Sequence, residues 1–386
     1  MGQAMKRRDF LRIVGGGTVL AATGLAGGFV ATRRPDRALA AWDAPGSGYA
    51  DPRLQALSFA ILAPNPHNRQ PWMVDLSMPG EIRVLIDKSR LLPHTDPYSR
   101  QITIGLGCFL ELLRMAAASI GYRADADLFP EGENPNQVGN EPVAVVQMIE
   151  DARTPSDPLF EYVPARRSNK DAYDVSRTVS SEYLDRLATV GGPGTRIAAT
   201  GETGEVASLR QLAKDAFEVE MRTPRTYKES VDLFRIGKAE IEANPDGIEF
   251  RGMRFELLRA AGLFTQEAAM DMTSPSFEQG LQGILDTIDT SMAFVWLATP
   301  GNSRIDQLNA GRDWLRINLQ ATADGIGTQP LSQALQEYAE MADHYEDIHG
   351  RLGKEGETVQ MFARLGFGSS VEPSPRWSLE SRITSV

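Results

Sequence analysis

Residues 107–121 read GCFLELLRMAAASIG, and residues 311–325 read GRDWLRINLQATADG. The two stretches have equal length, open and close on glycine, and carry leucines with alanines in the second half. Around the first, residues 100–120 are apolar on nearly every side, which predicts a long helix buried at the centre of a domain. Gly121 ends it in the C′ position. The second predicts a matching helix ended by Gly325. A repeated central helix predicts two diverged copies of one α+β unit in a single chain.

The flanking chain supplies the other elements of each copy. Residues 51–62 predict a helix started by Asp51-Pro52 in the Ncap–N1 arrangement. Residues 73–76 and 81–87 predict strands, 125–141 a polar loop and 142–149 a buried strand. A boundary near residues 151–158 divides a first half, 41–150, from a second, 151–386. In the second half, 180–190 predicts a helix and 195–200 a strand. Residues 205–244 are helical with a break near Pro224, and 248–272 continue as apolar helix. This insertion, about 222–290 and rich in Met and Phe, is expected to form a lid. Strands at 291–299 and 358–367 and a helix at 331–349 complete the half.

The 386-residue chain is 42% hydrophobic and 24% charged, enough for a large core. Net charge is -11, which argues against nucleic acid and anionic membranes as partners. Cys108 is the only cysteine, so no disulfide forms within the chain, and its apolar setting makes it a small buried residue. At the N-terminus, Lys6-Arg7-Arg8-Asp9-Phe10-Leu11 precedes a glycine-diluted apolar run at 13–30 and Ala38-Leu39-Ala40. This resembles a twin-arginine signal spanning residues 1–40, with cleavage before Ala41. It implies recognition by the twin-arginine machinery, a periplasmic or otherwise exported location, and no stable membrane insertion once cleaved.

Four motifs carry polar chemistry. Residues 63–72, APNPHNRQPW, place Asn65, His67, Asn68 and Gln70 among Pro64, Pro66 and Pro71, in a stretch that cannot be continuous helix. Arg166-Arg167-Ser168-Asn169-Lys170 is a compact set of donors suited to a phosphate. Gly325-Ile326-Gly327-Thr328-Gln329-Pro330, followed by Ser332 and Gln333, is a glycine turn after the second central helix. Near the end, Ser374-Pro375-Arg376-Trp377-Ser378-Leu379-Glu380 offers one arginine. His344 and His349 are five apart, off a common helix face, so no metal site is expected.

These motifs together resemble the nitroreductase family of flavoproteins, in its Acg-type, fused two-copy branch. APNPHNRQPW is similar to the family's A-P-S-x-x-N-x-Q-P-W loop, with Asn65 where Ser is usual. Arg166, Ser168 and Lys170 fall on the R-x-S-x-[RK] phosphate motif, and Arg376 on the arginine of the closing P-x-x-R segment. The resemblance implies a nitroreductase-like α+β fold, a monomer imitating a dimer around its long central helices, and one FMN in the seam. Pro64, Asn65, Pro66, His67, Asn68, Gln70, Arg166, Ser168, Lys170, Gly327, Pro330, Ser332, Gln333 and Arg376 would then bind the cofactor. Flavin N5 would carry electrons to a nitro, quinone or similar small-molecule acceptor, with no catalytic side chain of the protein's own. Ser332 and Gln333 stand where relatives have Glu or Gly, a departure that bears on hydride handling at N5. An exported protein also has no NAD(P)H as donor, which leaves a flavin-storing protein as one alternative; a cofactor-free scaffold on the same fold is the other.

Overall fold

The computed structural model describes residues 34–384. Two four-stranded antiparallel sheets flank a pair of long helices. The first half contains α2 (Pro52–Ala60), β1 (Trp72–Asp75), β2 (Glu81–Ile86), α3 (Arg100–Ser119), β3 (Tyr122–Leu128) and β4 (Ala144–Glu150). The second contains α4 (Ser181–Thr189), β5 (Arg196–Thr200), β8 (Ala293–Thr299), α11 (Arg304–Ala323), β9 (Gly327–Pro330) and β10 (Thr358–Gly366). The sheet orders are β1-β2-β4-β3 and β5-β8-β10-β9. In each, the strands taken in chain order occupy the positions first, second, fourth and third. The long helix follows the second strand both times. Shared topology, not only similar helices, thus marks the two halves as copies.

Helices α3 and α11 have 20 residues each and begin on an arginine. They cross at Gly107 and Gly311. A Cβ at Gly107 would lie 2.1 Å from Leu308 O, and one at Gly311 would lie 2.0 Å from Ile104 O. These reciprocal contacts leave no room for any side chain, so two glycines set the axis relating the halves. Cys108 is buried beside the crossing, with its Sγ 3.1 Å from Gly311 O, and burial pushes its thiol up to about 12. The helix starts differ. Ser303 and Asp306 form a reciprocal capping box on α11. On α3 the Asp96 carboxylate instead accepts the N–H groups of Gln101 and Ile102.

The segment between β5 and β8 holds α5 (Thr203–Arg222), α6 (Pro224–Asp232), β6 (Phe234–Ile236), α7 (Lys238–Ala243), β7 (Ile248–Phe250), α8 (Met253–Ala260), α9 (Gln266–Ala269) and α10 (Pro275–Ile288). The expected break sits at Thr223-Pro224. Tyr227, Val231, Phe277 and Leu281 give this insertion a small core of its own.

Several expectations are corrected. Residues 125–128 belong to β3, because pairing with β4 from Tyr122↔Glu150 to Leu128↔Ala144 satisfies a backbone too polar to look like a strand. Residues 248–250 form a strand parallel to β6, and short helices replace the continuous one expected there. Gly327–Pro330 is strand, not turn. The helix expected at 331–349 is broken: two short 3₁₀ turns, Gln333–Leu335 and Ala339–Met341, precede α12 (Ala342–Leu352).

Residues 1–33 of the expected targeting segment lie outside the described residues. Its end is folded here: α1 (Asp36–Leu39) buries Ala38 and Leu39. Arg376 N–H donates to Ala38 O at 2.8 Å, and Trp42 Nε1 donates to Ser374 O at 2.9 Å. The packed body therefore takes in residues that the sequence reading assigned to the signal.

Candidate functional site

A cavity of about 490 Å³ opens where the halves and the insertion meet. That is room for a cofactor-sized small molecule. Most of the sequence-predicted residues line it: Pro64, Asn65, Pro66, His67, Asn68, Arg166, Ser168, Lys170, Pro330, Ser332, Gln333 and Arg376.

The first half contributes the loop after α2. His67, Asn68 and Gln70 have φ of 46°, 50° and 50°. Three left-handed non-glycine residues among four consecutive positions are costly and persist only where surroundings enforce them. The enforcement is visible. Asn65 Oδ1 accepts Gln70 N–H at 2.7 Å, closing the loop on itself. Asn68 Nδ2 donates to Pro375 O, and its Oδ1 accepts from Arg376 Nη1 at 2.7 Å. Gly105 of α3 lets the loop lie close, since a Cβ there would meet Asn65 Cβ at 3.1 Å. Loss of hydration, with Lys170 and Arg69 nearby, lowers the His67 imidazole to about 4.

Gln70 does not reach the cavity wall. It is 0% exposed, donating to Pro245 O at 2.7 Å and accepting from Trp377 N–H at 2.9 Å. It ties the loop to the insertion and to the C-terminal segment. Gly327 also lies off the wall, packed under the Tyr173 ring at the end of β9. Both were expected as ligands, and both stand behind the cavity wall, not on it.

The second half contributes cations. Arg166 is buried, and its Nη2 donates to Leu62 O at 3.2 Å. Burial, then Arg167, lowers its guanidinium to about 10. Ser168 Oγ and Lys170 Nζ have no hydrogen-bond acceptor among the described residues. The surrounding protein lowers the Lys170 ammonium, and Glu249 opposes this, although the side chain keeps contact with solvent in the cavity. Crowded cations with unspent donors, one of them buried, are the chemistry of an anion site.

Arg376 serves differently from the expectation. Its Nε donates to Ile61 O and its Nη2 to Leu62 O and Ala63 O. Those carbonyls follow α2, where a helix leaves acceptors unpaired. Nη1 is taken by Asn68 and Pro375. The guanidinium thus ends α2 and fixes the strained loop, adding positive potential with no donor to spare. Burial, then Arg166, lowers it to about 9.

Sequence reading missed Trp42, Glu220 and Glu249. Trp42 offers its ring to Arg167, Arg376 and Arg166, with centroid distances of 4.8, 5.2 and 5.9 Å. It sits beside the cleavage point expected before Ala41, so nothing in its local sequence marks it. Glu220 and Glu249 fall in the insertion, whose Met and Phe content advertises packing only.

No family model matches the chain. Proteins of Mycobacterium tuberculosis align with most of it. One, named "Putative NAD(P)H nitroreductase acg", is 24% identical over 331 residues, covering 83% of this chain and 90% of that protein. Another, named "Uncharacterized protein Rv3127", is 23% identical over 350 residues, covering 84% and 91%. Among solved structures, a protein from Anabaena variabilis described as "a putative nitroreductase" aligns over 82% of this chain and 88% of its own, with a TM-score of 0.40 and 12% identity. The FMN-dependent nitroreductase NfnB of Mycobacterium smegmatis, solved with NADPH, aligns over 58% and 96%, with a TM-score of 0.35 and 16% identity.

Proposed function

We propose, from the premise that this chain is a homologue of the Acg-like proteins of the nitroreductase family, that it is an FMN-dependent oxidoreductase acting on a small-molecule acceptor. The observation carrying this is the pairing, across one cavity, of a strained amide loop from the first half with the unspent donors of Arg166, Ser168 and Lys170 from the second. The donor set fits a phosphate: a guanidinium, a hydroxyl and an ammonium within five residues. Bound FMN would supply the two-electron chemistry.

The chain's own residues would do the rest. Arg166 and Ser168 would hold the phosphate, and Arg167 on the Trp42 ring would close that end. Lys170 would reduce the cost of negative charge gained on reduction. Residues 64–68 and 330–333 would position the ring. One relative's printed name, "Putative NAD(P)H nitroreductase acg", extends the reading to a nitro compound as acceptor and, wherever NAD(P)H is present, to NAD(P)H as donor.

Export remains part of the proposal, supported by Arg7-Arg8-Asp9-Phe10-Leu11. In that case the mature chain would need residues 36–42 for the packing described above. Purified protein should show a flavin absorbance spectrum, or should quench FMN fluorescence on titration. Protein that neither carries nor takes up FMN would end the proposal.

A further inference from the structure

The same cavity has a second polar patch, which shares Gln333 with the ring-positioning segment and is otherwise made of neutral partners around one acid on α5. Glu220, in the last turn of α5, is 4% exposed. Phe217, Met221, Tyr227, Ile284 and Ile288 share its part of the lining. Glu220 Oε2 accepts from Gln336 Nε2 at 2.8 Å. Gln336 is 3% exposed, and its Oε1 has no hydrogen-bond partner; neither does Gln333 Oε1. Leaving two carboxamide oxygens unpaired costs free energy that a ligand donor would recover.

Burial raises the Glu220 carboxyl to about 7, with Gln336 and Gln333 opposing and Glu229 adding to the rise. The charged groups on the packed elements do not neutralise it. Glu229 on α6 is taken by the His94 and Thr95 N–H groups. Glu340 pairs with Arg225, Glu278 on α10 with Arg222, and Asp347 on α12 with Arg351. Tyr338 is buried and its phenol raised, so it stays neutral. In neutral form Glu220 has an O–H to donate.

The geometry points to a second ligand subsite at Glu220, Gln333 and Gln336, taking an uncharged group that pairs an N–H or O–H donor with an oxygen acceptor, as a carboxamide does. Glu220 O–H donates to the ligand oxygen, and the free Gln oxygens accept from its donor. A carboxylate ligand lacks the donor and meets repulsion once Glu220 ionises. This inference rests on the flavin reading for what shares the cavity.

The test uses the FMN-loaded chain with benzamide and benzoate as probes, titrated calorimetrically from pH 5.5 to 8.5. Benzamide binding is expected to weaken about 10-fold across pH 7, the loss of one charge-free hydrogen bond, and benzoate to bind more weakly throughout. Glu220→Gln keeps a donor and should bind benzamide with no pH dependence. Glu220→Leu should lose about 10-fold at pH 6. The protonated-carboxyl infrared band should be absent from Glu220→Gln. FMN affinity, read separately by fluorescence quenching, should stay within about two-fold in both variants, which also reports folding. Benzamide binding that ignores both pH and Glu220→Leu overturns the subsite while leaving the flavin reading intact. If the wild type takes up no FMN, the flavin reading fails alone, and the benzamide titration on the free protein still decides the subsite.

Discussion

The two halves share one strand order and one central helix, yet they differ in what they add. In the first, β1 and β2 are joined by residues 76–80 only, and the elaborated part is the strained loop at 64–70. In the second, residues 201–292 intervene between the equivalent strands and build a subdomain over the cavity. The first half's loop is rigid through hydrogen bonds spent inside the protein. The second half's cations keep donors in reserve. A duplicated scaffold thus divides the labour of one site: one copy shapes it, and the other charges it.

The axis joining the halves is the place to break the comparison most completely. Gly107→Val should drive a side chain into the Leu308 carbonyl and cost at least about 3 kcal/mol, enough to remove much of a domain's stability. Urea unfolding followed by fluorescence and circular dichroism should show it, as one transition reporting both halves. An unchanged midpoint would mean that the helices do not cross there in solution.

The next effect concerns the charged half. Arg166→Ala combined with Lys170→Ala should weaken FMN binding by about 100-fold, for two charge-assisted contacts. Gln70→Ala in the other half should lower thermal stability through the lost Pro245 and Trp377 contacts, by about 2 kcal/mol. A Gln70 variant as stable as the wild type but blind to FMN would reverse the roles assigned here.

The terminal strap can be tested by comparing chains starting at residues 34 and 41. The shorter chain loses the Ala38 carbonyl contact and the burial of Leu39, and should melt lower, by about 2–3 kcal/mol. Equal melting would show the strap to be dispensable.

The smallest effect sharpens the strained loop. The His67 imidazole is lowered in the folded chain, so the unfolded chain binds the proton more readily between pH 6.5 and about 4. Stability should therefore fall as pH drops through that window and be retained above it. His67→Asn should flatten this part of the profile in a melting series, relative to the wild type. A parallel fall in both proteins would assign the loss to other groups.

Local pattern told most about elements whose burial and period agree. The central helices, the strands at 81–86, 196–200 and 293–299, and the Asp51-Pro52 helix start all fall where sequence places them. It told least where pairing overrides composition. Tyr122–Leu128 and Gly327–Pro330 look like loop or turn, and only a neighbouring strand with free N–H and C=O groups makes them sheet. Within the site, residue type announced polar capacity but not its use. Gln70 and Arg376 have the same donors whether they face a ligand or a carbonyl.

Sequence alone determined that the chain repeats a buried helix, carries an amide-rich proline loop, and has a basic cluster able to hold a phosphate. These depend on periodicity and residue chemistry within short windows. Only the tertiary structure decided that Arg376 is spent on α2, that Trp42 belongs to the site, and that Glu220 sits nearly uncompensated in an apolar wall. Each of those depends on which groups, hundreds of residues apart, come within hydrogen-bonding distance, and on how much water is removed when they do.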